Sequence, residues 1–261
     1  MRNLLIYLNP SKQFSQDSWG PESEILIKIQ IDNSLALGWK PKDIMLVTNF
    51  DYEYRGVKAI VIDDQYFCEL KPTATKVLAI LHLMDAGLID RGLFWYHDLD
   101  AFQLEWITEE ELDLGTNVFA LTDYGKTTIN EFRDRRWSTG TIFFTKDAEF
   151  IFKLIKDKIY QYQANEEVAL LALTRRNRSN MNAVIKKLNI TYNLATRKRD
   201  VSKTYEMADK PLKVIHFHPF DKRKVELGQD NIGVCVYGKN RMGKVLVNQR
   251  IKDLFTRYKV I

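Results

Sequence analysis

Four short apolar runs in the first hundred residues, each closed by an asparagine or an aspartate, constrain this chain more than any other feature. They are NLLIYLN (Asn3 to Asn9), DIMLVTNF (Asp43 to Phe50), KAIVID (Lys58 to Asp63) and LFWYH (Leu93 to His97). Each is too short for a core helix and too continuously apolar for a half-exposed strand, so each predicts a strand buried on both faces. Helical stretches alternate with them. Pro21 to Gly38 and Pro72 to Gly87 both have proline near the start and glycine at the close, the expected asymmetry of helix ends. This alternation predicts an α/β fold: a Rossmann-like, mostly parallel central sheet flanked by helices, in a single domain over residues 1–261. Further strands are expected at 118–122, at 141–145 and from Val214 to His218. Further helices are expected from Glu149 to Tyr162, Asn165 to Thr174, Met181 to Leu188 and Gln249 to Tyr258.

A chain of 261 residues with 12% aromatic side chains has material for a sizeable core, which excludes a disordered protein. The N-terminal apolar run stops at Asn9-Pro10, too short for a signal peptide, and no later run approaches the length of a bilayer span. The expectation is a soluble protein of the cytoplasm, or of the host cytoplasm for a viral chain. Cys68 and Cys235 stand far apart without histidine or cysteine at ligand spacing, so neither a disulfide framework nor a zinc site is indicated.

In open α/β sheets, ligands bind outside the carboxyl ends of the strands. Asn9, Asn49, Asp63, Asp64, Asp98 and Asp100 all fall at such ends. Residues two apart in extended chain point to the same side, so Asp98 and Asp100 are expected to present their carboxylates together while Leu99 turns inward. Two adjacent carboxylates repel unless a cation lies between them, and a hard divalent ion with oxygen ligands suits the pair. His97, beside them, reads as structural.

Over most of residues 3–224, with LFWYHDLDAFQ at its centre, the chain resembles the metal-dependent glycosyltransferases of the GT-A fold, whose Asp-x-Asp motif ends a central strand. Several segments match in order: RRWSTGTIFFTK (Arg135 to Lys146) as a small-residue turn entering a strand, NEEVALLAL (Asn165 to Leu173) as a helix with an acidic start, and VIHFHPFDKRK (Val214 to Lys224) as a late strand with histidine and a basic tail. The resemblance implies Mn²⁺ or Mg²⁺ on Asp98, Asp100 and His216, with His218 the alternative to His216, and a nucleotide-sugar donor, UDP-sugar favoured. It implies Glu166 or Glu167 as the catalytic carboxylate and Tyr7, Asn9, Asp63, Lys76 and Lys222 around the donor. It also divides the domain at about residue 105 into a nucleotide-sugar-binding half and an acceptor-binding half.

The formal charge of +5 conceals an asymmetry: residues 1–130 carry 11 Lys and Arg against 20 Asp and Glu, and residues 131–261 carry 28 against 14, or −9 and +14. A half so basic attracts polyanions. The segment Gln30 to Ala59 resembles the phage and base-J-type DNA glucosyltransferases, which implies a hydroxymethylated pyrimidine in DNA as acceptor. Arg135, Arg136, Trp137, Arg197, Lys198 and Arg199 are then expected at the acceptor, with Phe217 and Phe220 as further aromatics for an unstacked base. The competing readings are a transferase acting on a surface or lipid-linked glycan, a non-catalytic nucleic-acid-binding module on a transferase fold, and a nucleotidyltransferase. Against the last, no Gly-rich phosphate loop follows the first strand.

Overall fold

The apolar runs lie side by side in the computed structural model, which describes residues 1–14, 23–125, 137–175, 180–195, 201–217, 238–239, 245–246 and 248–260. Strand β1 (Arg2–Tyr7) pairs in parallel with β2 (Ile44–Thr48) on one side and with the strand Phe94–His97 on the other. After β2 comes a hairpin of β3 (Glu53–Tyr54) and β4 (Val57–Lys58), then the edge strand β5 (Ile60–Val61), parallel to β2. The Phe94–His97 strand is β6, and β7 (Ala101–Gln103) follows it at once. Strands β8 (Phe119–Asp123), β9 (Trp137–Phe144) and β10 (Ile185–Leu188) complete a seven-stranded sheet of order β10-β8-β9-β6-β1-β2-β5. Only β9 opposes the common direction, being antiparallel to both β6 and β8.

Strand alternation sorts the apolar side chains into two layers. Leu4, Val47, Phe94 and Phe144 face a core closed by α2 (Thr75–Asp85), α4 (Glu149–Tyr162) and α5 (Glu166–Thr174). Leu5, Leu46, Trp95 and Phe143 face the other way, toward Ile27 and Ile31 of α1 (Ser23–Ala36). Because Leu4, Leu5 and Leu46 have no exposed surface, truncating any of them to Ala costs about 2–5 kcal/mol. A smaller sheet, β11 (Leu194–Ala195), β12 (Val214–His216) and β7, packs Phe102 and Phe217 against Phe255 of the C-terminal helix Gln249–Arg257. Two short helices are α3 (Glu109–Leu112) and α6 (Val201–Glu206), the C-terminal helix Gln249–Arg257 is α7, and Gly238–Lys239 pairs antiparallel with Val245–Leu246 apart from both sheets.

Three expectations are corrected. KAIVID is not a buried strand but ends as a two-residue edge strand whose Val61 is 49% exposed, the preceding residues having turned back as the β3–β4 hairpin. Met181 to Leu188 is not a helix: one 3₁₀ turn leads into β10, where pairing with β8 outweighs weak helical propensity. The small residues Ser138, Thr139 and Gly140 lie within β9 rather than in a turn before it. Strands from both sides of residue 105 share the one large sheet.

Candidate metal and donor site

Asp98 and Asp100 meet through a turn, not through strand alternation. The Ala101 N–H donates to the Asp98 carbonyl at 3.0 Å, closing a tight turn between β6 and β7, and the Asp98 N–H donates to the Gly140 carbonyl at 2.9 Å. Strand β12 runs antiparallel to β7 with His216 opposite Ala101, and the Phe217 N–H donates to the Asp100 carbonyl at 2.9 Å. This register delivers the imidazole across more than a hundred residues of chain. His216 Nε2 lies 3.1 Å from Asp100 Oδ1 and 3.9 Å from Asp98 Oδ2, and the three residues offer ligand atoms all within 4.8 Å of one another. Two hard carboxylate oxygens and one imidazole nitrogen suit Mn²⁺ or Mg²⁺, so the residues present fit the ion that the sequence resemblance implies.

Gly140 makes room for that histidine. A Cβ on Gly140 would stand 2.3 Å from His216 Nδ1 and Cε1, closer than atoms can pack. Glycine inside a strand marks such a close approach. Burial opposes charge on the His216 imidazole, but the Asp100 carboxylate, bonded to it, and Asp98 outweigh that effect and raise its pKa above the ordinary value.

The other oxygen of Asp98 is already engaged. Asp98 Oδ1 accepts from Lys76 Nζ at 2.8 Å and from the Tyr96 hydroxyl at 2.5 Å, which leaves Oδ2 on the side of His216. Lys76, 5% exposed, also pairs with Glu166 Oε1 at 3.0 Å and donates to the Thr139 carbonyl at 3.3 Å. Burial alone would lower its pKa, yet Asp98 and Glu166 hold it well above normal, so a buried ammonium bridges two carboxylates. Tyr96 is pushed well above its usual pKa, first by burial and then by the Asp98 charge, and so stays a donor.

Glu166 enters this network because of its helix end. Asn165 caps α5, its Oδ1 accepting from the Val168 N–H at 3.1 Å, so the first-turn Glu166 points inward where the Thr139 hydroxyl donates to Oε1 at 2.8 Å. It is 3% exposed. Glu167, half-buried next to it, lies on the side of Tyr124, whose phenol burial raises first and the Glu167 charge further.

At the neighbouring strand ends, the Asn9 N–H donates to Asn49 Oδ1 at 3.0 Å and Asn9 Nδ2 donates to the Tyr7 hydroxyl at 3.1 Å. Asn49 Nδ2 in turn donates to the Asn9 carbonyl at 2.6 Å and to Asp64 Oδ1 at 2.8 Å, which draws the ends of β1, β2 and β5 into one rim. Tyr7, Phe14, Phe50 and Tyr52 cluster beside it, with Tyr7 and Phe14 stacked at 5.5 Å. Asp63 caps a 3₁₀ turn through the Gln65 N–H at 2.9 Å, so its carboxylate has a structural task at that rim.

The structure therefore brings Asp98, Asp100, His216, Lys76 and Glu166 together. Trp137 is corrected: it is 1% exposed and its indole N–H donates to Thr174 Oγ1 at 2.8 Å, so it anchors β9 to α5 instead of offering a stacking surface. Phe217, with no exposed surface, is likewise core. Arg135, Arg136, Arg197, Lys198, Arg199, His218, Phe220 and Lys222 lie outside the described residues. His97 is structural, as expected. It stacks on Trp95 at 4.2 Å, sets Nε2 2.9 Å from Asn3 Oδ1, and burial pushes its pKa down to about 4. Sequence reasoning missed Tyr96, Thr139 and Gln30, whose amide donates to the Leu99 and Ala101 carbonyls at 2.8 and 2.9 Å and braces the turn. An aromatic two residues before the Asp pair was the one available signal for Tyr96.

A mixed sheet with helices on both faces and an Asp-x-Asp turn at the carboxyl end of its central strand is the GT-A glycosyltransferase fold. Among solved structures, the chain is similar to the galactosyltransferase LgtC in complex with donor and acceptor sugar analogs, at 12% identity over 98% of this chain and 96% of that one, TM-score 0.54. It is also similar to a glycosyltransferase involved in the glycosylation of the major capsid of PBCV-1, at 10% identity over 83% and 93%, TM-score 0.51. A third is mouse xyloside xylosyltransferase 1, at 10% identity over 83% and 97%, TM-score 0.50. No protein-family model and no curated protein matches the chain. At such identities the likeness is one of fold. No helix among the described residues is long and apolar enough to cross a membrane.

Proposed function

We propose that this chain is a metal-dependent glycosyltransferase that moves a sugar from a nucleotide-sugar donor, UDP-glucose being the first to test, to an acceptor hydroxyl. The observation that carries the reading is the convergence of Asp98, Asp100 and His216 on one point at the end of β6, in a GT-A fold. A bound Mn²⁺ or Mg²⁺ would stabilise the diphosphate as its bond to the anomeric carbon breaks. Asp98 Oδ2, Asp100 and His216 would hold the ion, while Lys76 and Tyr96 fix Asp98 so that one oxygen faces it.

Glu166, locked by Lys76 and Thr139, supplies a preorganised carboxylate to accept the acceptor's proton or to stabilise the cation-like sugar, with Glu167 the alternative. Tyr7, Asn9 and Asp63 on the β1–β2–β5 rim, together with Lys222, form the donor side of the same proposal. The +14 charge of residues 131–261 favours a polyanionic acceptor, DNA bearing hydroxymethylated pyrimidines, gripped by Arg135, Arg136 and the Arg197 to Arg199 cluster.

The test incubates the protein with labelled UDP-glucose, with Mn²⁺ or with EDTA, against hydroxymethylated DNA, unmodified DNA and free glycans. Label should reach the hydroxymethylated DNA only with metal, and Glu166→Gln should lower kcat by about 10²–10⁴-fold. Transfer that persists in EDTA, or in the Asp98→Asn/Asp100→Asn double variant, overturns the metal site. Transfer to glycans and not to DNA keeps the enzyme and overturns the DNA acceptor.

A further inference from the structure

Apart from the metal site, the most unusual group of charges lines an open cleft of about 560 Å³ between α1, α7 and the β3–β4 hairpin. Arg55, Arg250 and Arg257 line it together with Asp32 and Asp253. Among the described residues, Arg55 and Arg257 share a single carboxylate. Arg55 Nε is 3.5 Å from Asp32 Oδ1, and Arg257 Nη1 is 3.3 Å from Asp32 Oδ2. Asp32 is itself 8% exposed and also accepts from the Tyr258 hydroxyl at 2.8 Å, so it sits as the floor beneath the two arginines. Asp253 accepts from Gln249 Nε2 at 2.6 Å and forms no ion pair with any of the three arginines.

Arg250 forms no ion pair among the described residues, and the only carboxylate acting on it there is Glu105, through space. Its Nε donates to Asn33 Oδ1 at 2.8 Å, and its Nη2 donates to the Gln103 and Leu104 carbonyls at 3.2 and 2.5 Å. Neutral acceptors position this guanidinium without cancelling its charge. The other two are exposed at the cleft mouth, 59% for Arg55 and 60% for Arg257, and each uses only one nitrogen on Asp32. A guanidinium carries five N–H donors in a planar fork, so most of this donor capacity points away from Asp32.

The backbone at Arg55 adds an independent observation. Arg55 and Gly56 form the two-residue loop of the hairpin with φ of 53° and 77°. Both central residues of such a turn need positive φ, which Asn, Asp or Gly adopt easily and arginine does not. Folding alone would favour asparagine, aspartate or glycine at 55. Strained non-glycine residues of this kind gather at ligand sites.

We infer that this cleft binds a phosphate group through Arg55, Arg250 and Arg257, at a place separate from the Asp98–Asp100–His216 site. Two guanidinium groups sharing one buried carboxylate, with a third held by neutral acceptors beside them, offer the positive charge and the bidentate geometry that phosphate takes from arginine. The cleft is tied to the metal turn. Arg250 and Asn33 both grip the Gln103 carbonyl of β7, and Gln30 on the same helix as Asn33 braces Leu99 and Ala101. The inference holds whether or not the metal site transfers sugar.

The phosphate could belong to a free anion or to a lipid headgroup, and two arms separate these. In the first, inorganic phosphate is titrated calorimetrically into the full chain in EDTA at constant ionic strength. In the second, the chain is floated with phosphatidylcholine vesicles with and without phosphatidic acid. Arg55→Gly is the decisive variant, because it relieves the positive-φ strain and keeps the hairpin, and Arg257→Gln is its companion. Binding in either arm that weakens about tenfold in each variant, the loss expected for one charge-assisted contact, supports the site. Failure of the wild type to bind either probe, or binding that survives both substitutions, overturns it.

Discussion

Gly140 and His216 are fitted to each other: the ring of the histidine occupies the space a Cβ on the glycine would fill, at 2.3 Å from its Nδ1 and Cε1. The two residues lie on strands that do not pair, β9 and β12, and the turn holding Asp98 lies between them. Gly140→Ala should therefore displace the imidazole and lower Mn²⁺ affinity by about 10–100-fold, the usual loss when a ligand's support is removed. Most of the cost should vanish in a His216→Ala background, because the clash has gone. Equal losses with and without His216, measured by calorimetry in a double-mutant cycle, would contradict the fit.

Asp98→Asn and Asp100→Asn should each lower divalent-metal affinity by more than about 100-fold while the fold persists. The carboxylates lie on a turn at 27% and 20% side-chain exposure, and in Asp98→Asn the buried Lys76 ammonium keeps its second carboxylate, Glu166, at 3.0 Å. Mn²⁺ binding followed by electron paramagnetic resonance reads the affinity and circular dichroism reads the fold. Unchanged Mn²⁺ binding in either variant would show that the cluster is not the site.

Lys76→Met should destabilise the protein by about 3–5 kcal/mol, the cost of removing one partner from a buried charge network. Asp98 and Glu166 would be left facing each other without the ammonium that lies 2.8 and 3.0 Å from them. Lys76→Met/Glu166→Gln should recover part of the loss. Urea unfolding measures both, and a single-variant loss below about 1 kcal/mol would mean that the network contributes little.

Glu149 opens α4 between Lys146, with which it makes a short ion pair, and Lys153, at 2.6 Å. Hydrogen bonds from these two lysines lower its pKa from 4.5 to about 2. A depressed carboxylate contributes stability that is complete above its unfolded pKa and is lost as pH falls through the folded value, here between 4.5 and about 2. Glu149→Gln should remove that part of the acid limb from a plot of urea midpoint against pH. A constant offset between the two plots at every pH would count against the assignment.

Most of the parallel sheet was legible because buried parallel strands leave an unmistakable pattern, continuous apolar runs separated by helices with proline and glycine at their ends. The position of the Asp pair after LFWYH was legible for the same reason. β10 was not, because four residues with two lysines carry no periodicity of their own and become a strand only by pairing with β8. The aromatic residues expected at the acceptor show the same limit, since Trp137 and Phe217 read as free side chains in a sequence and are packed in the structure.

The sequence by itself determined the α/β class and the acidic strand ends that hold Asp98 and Asp100, since these follow from local pattern and residue chemistry, whereas His216 was expected only through the family resemblance. Only the tertiary structure decided how Asp98, Asp100 and His216 come together. It closed the Asp98–Ala101 turn, carried His216 beside Asp100 through the register of β12 on β7, and buried Lys76 between Asp98 and Glu166. The reason is physical: strand register and the burial of a charge depend on partners distant in the chain, and no local pattern encodes where those partners will stand.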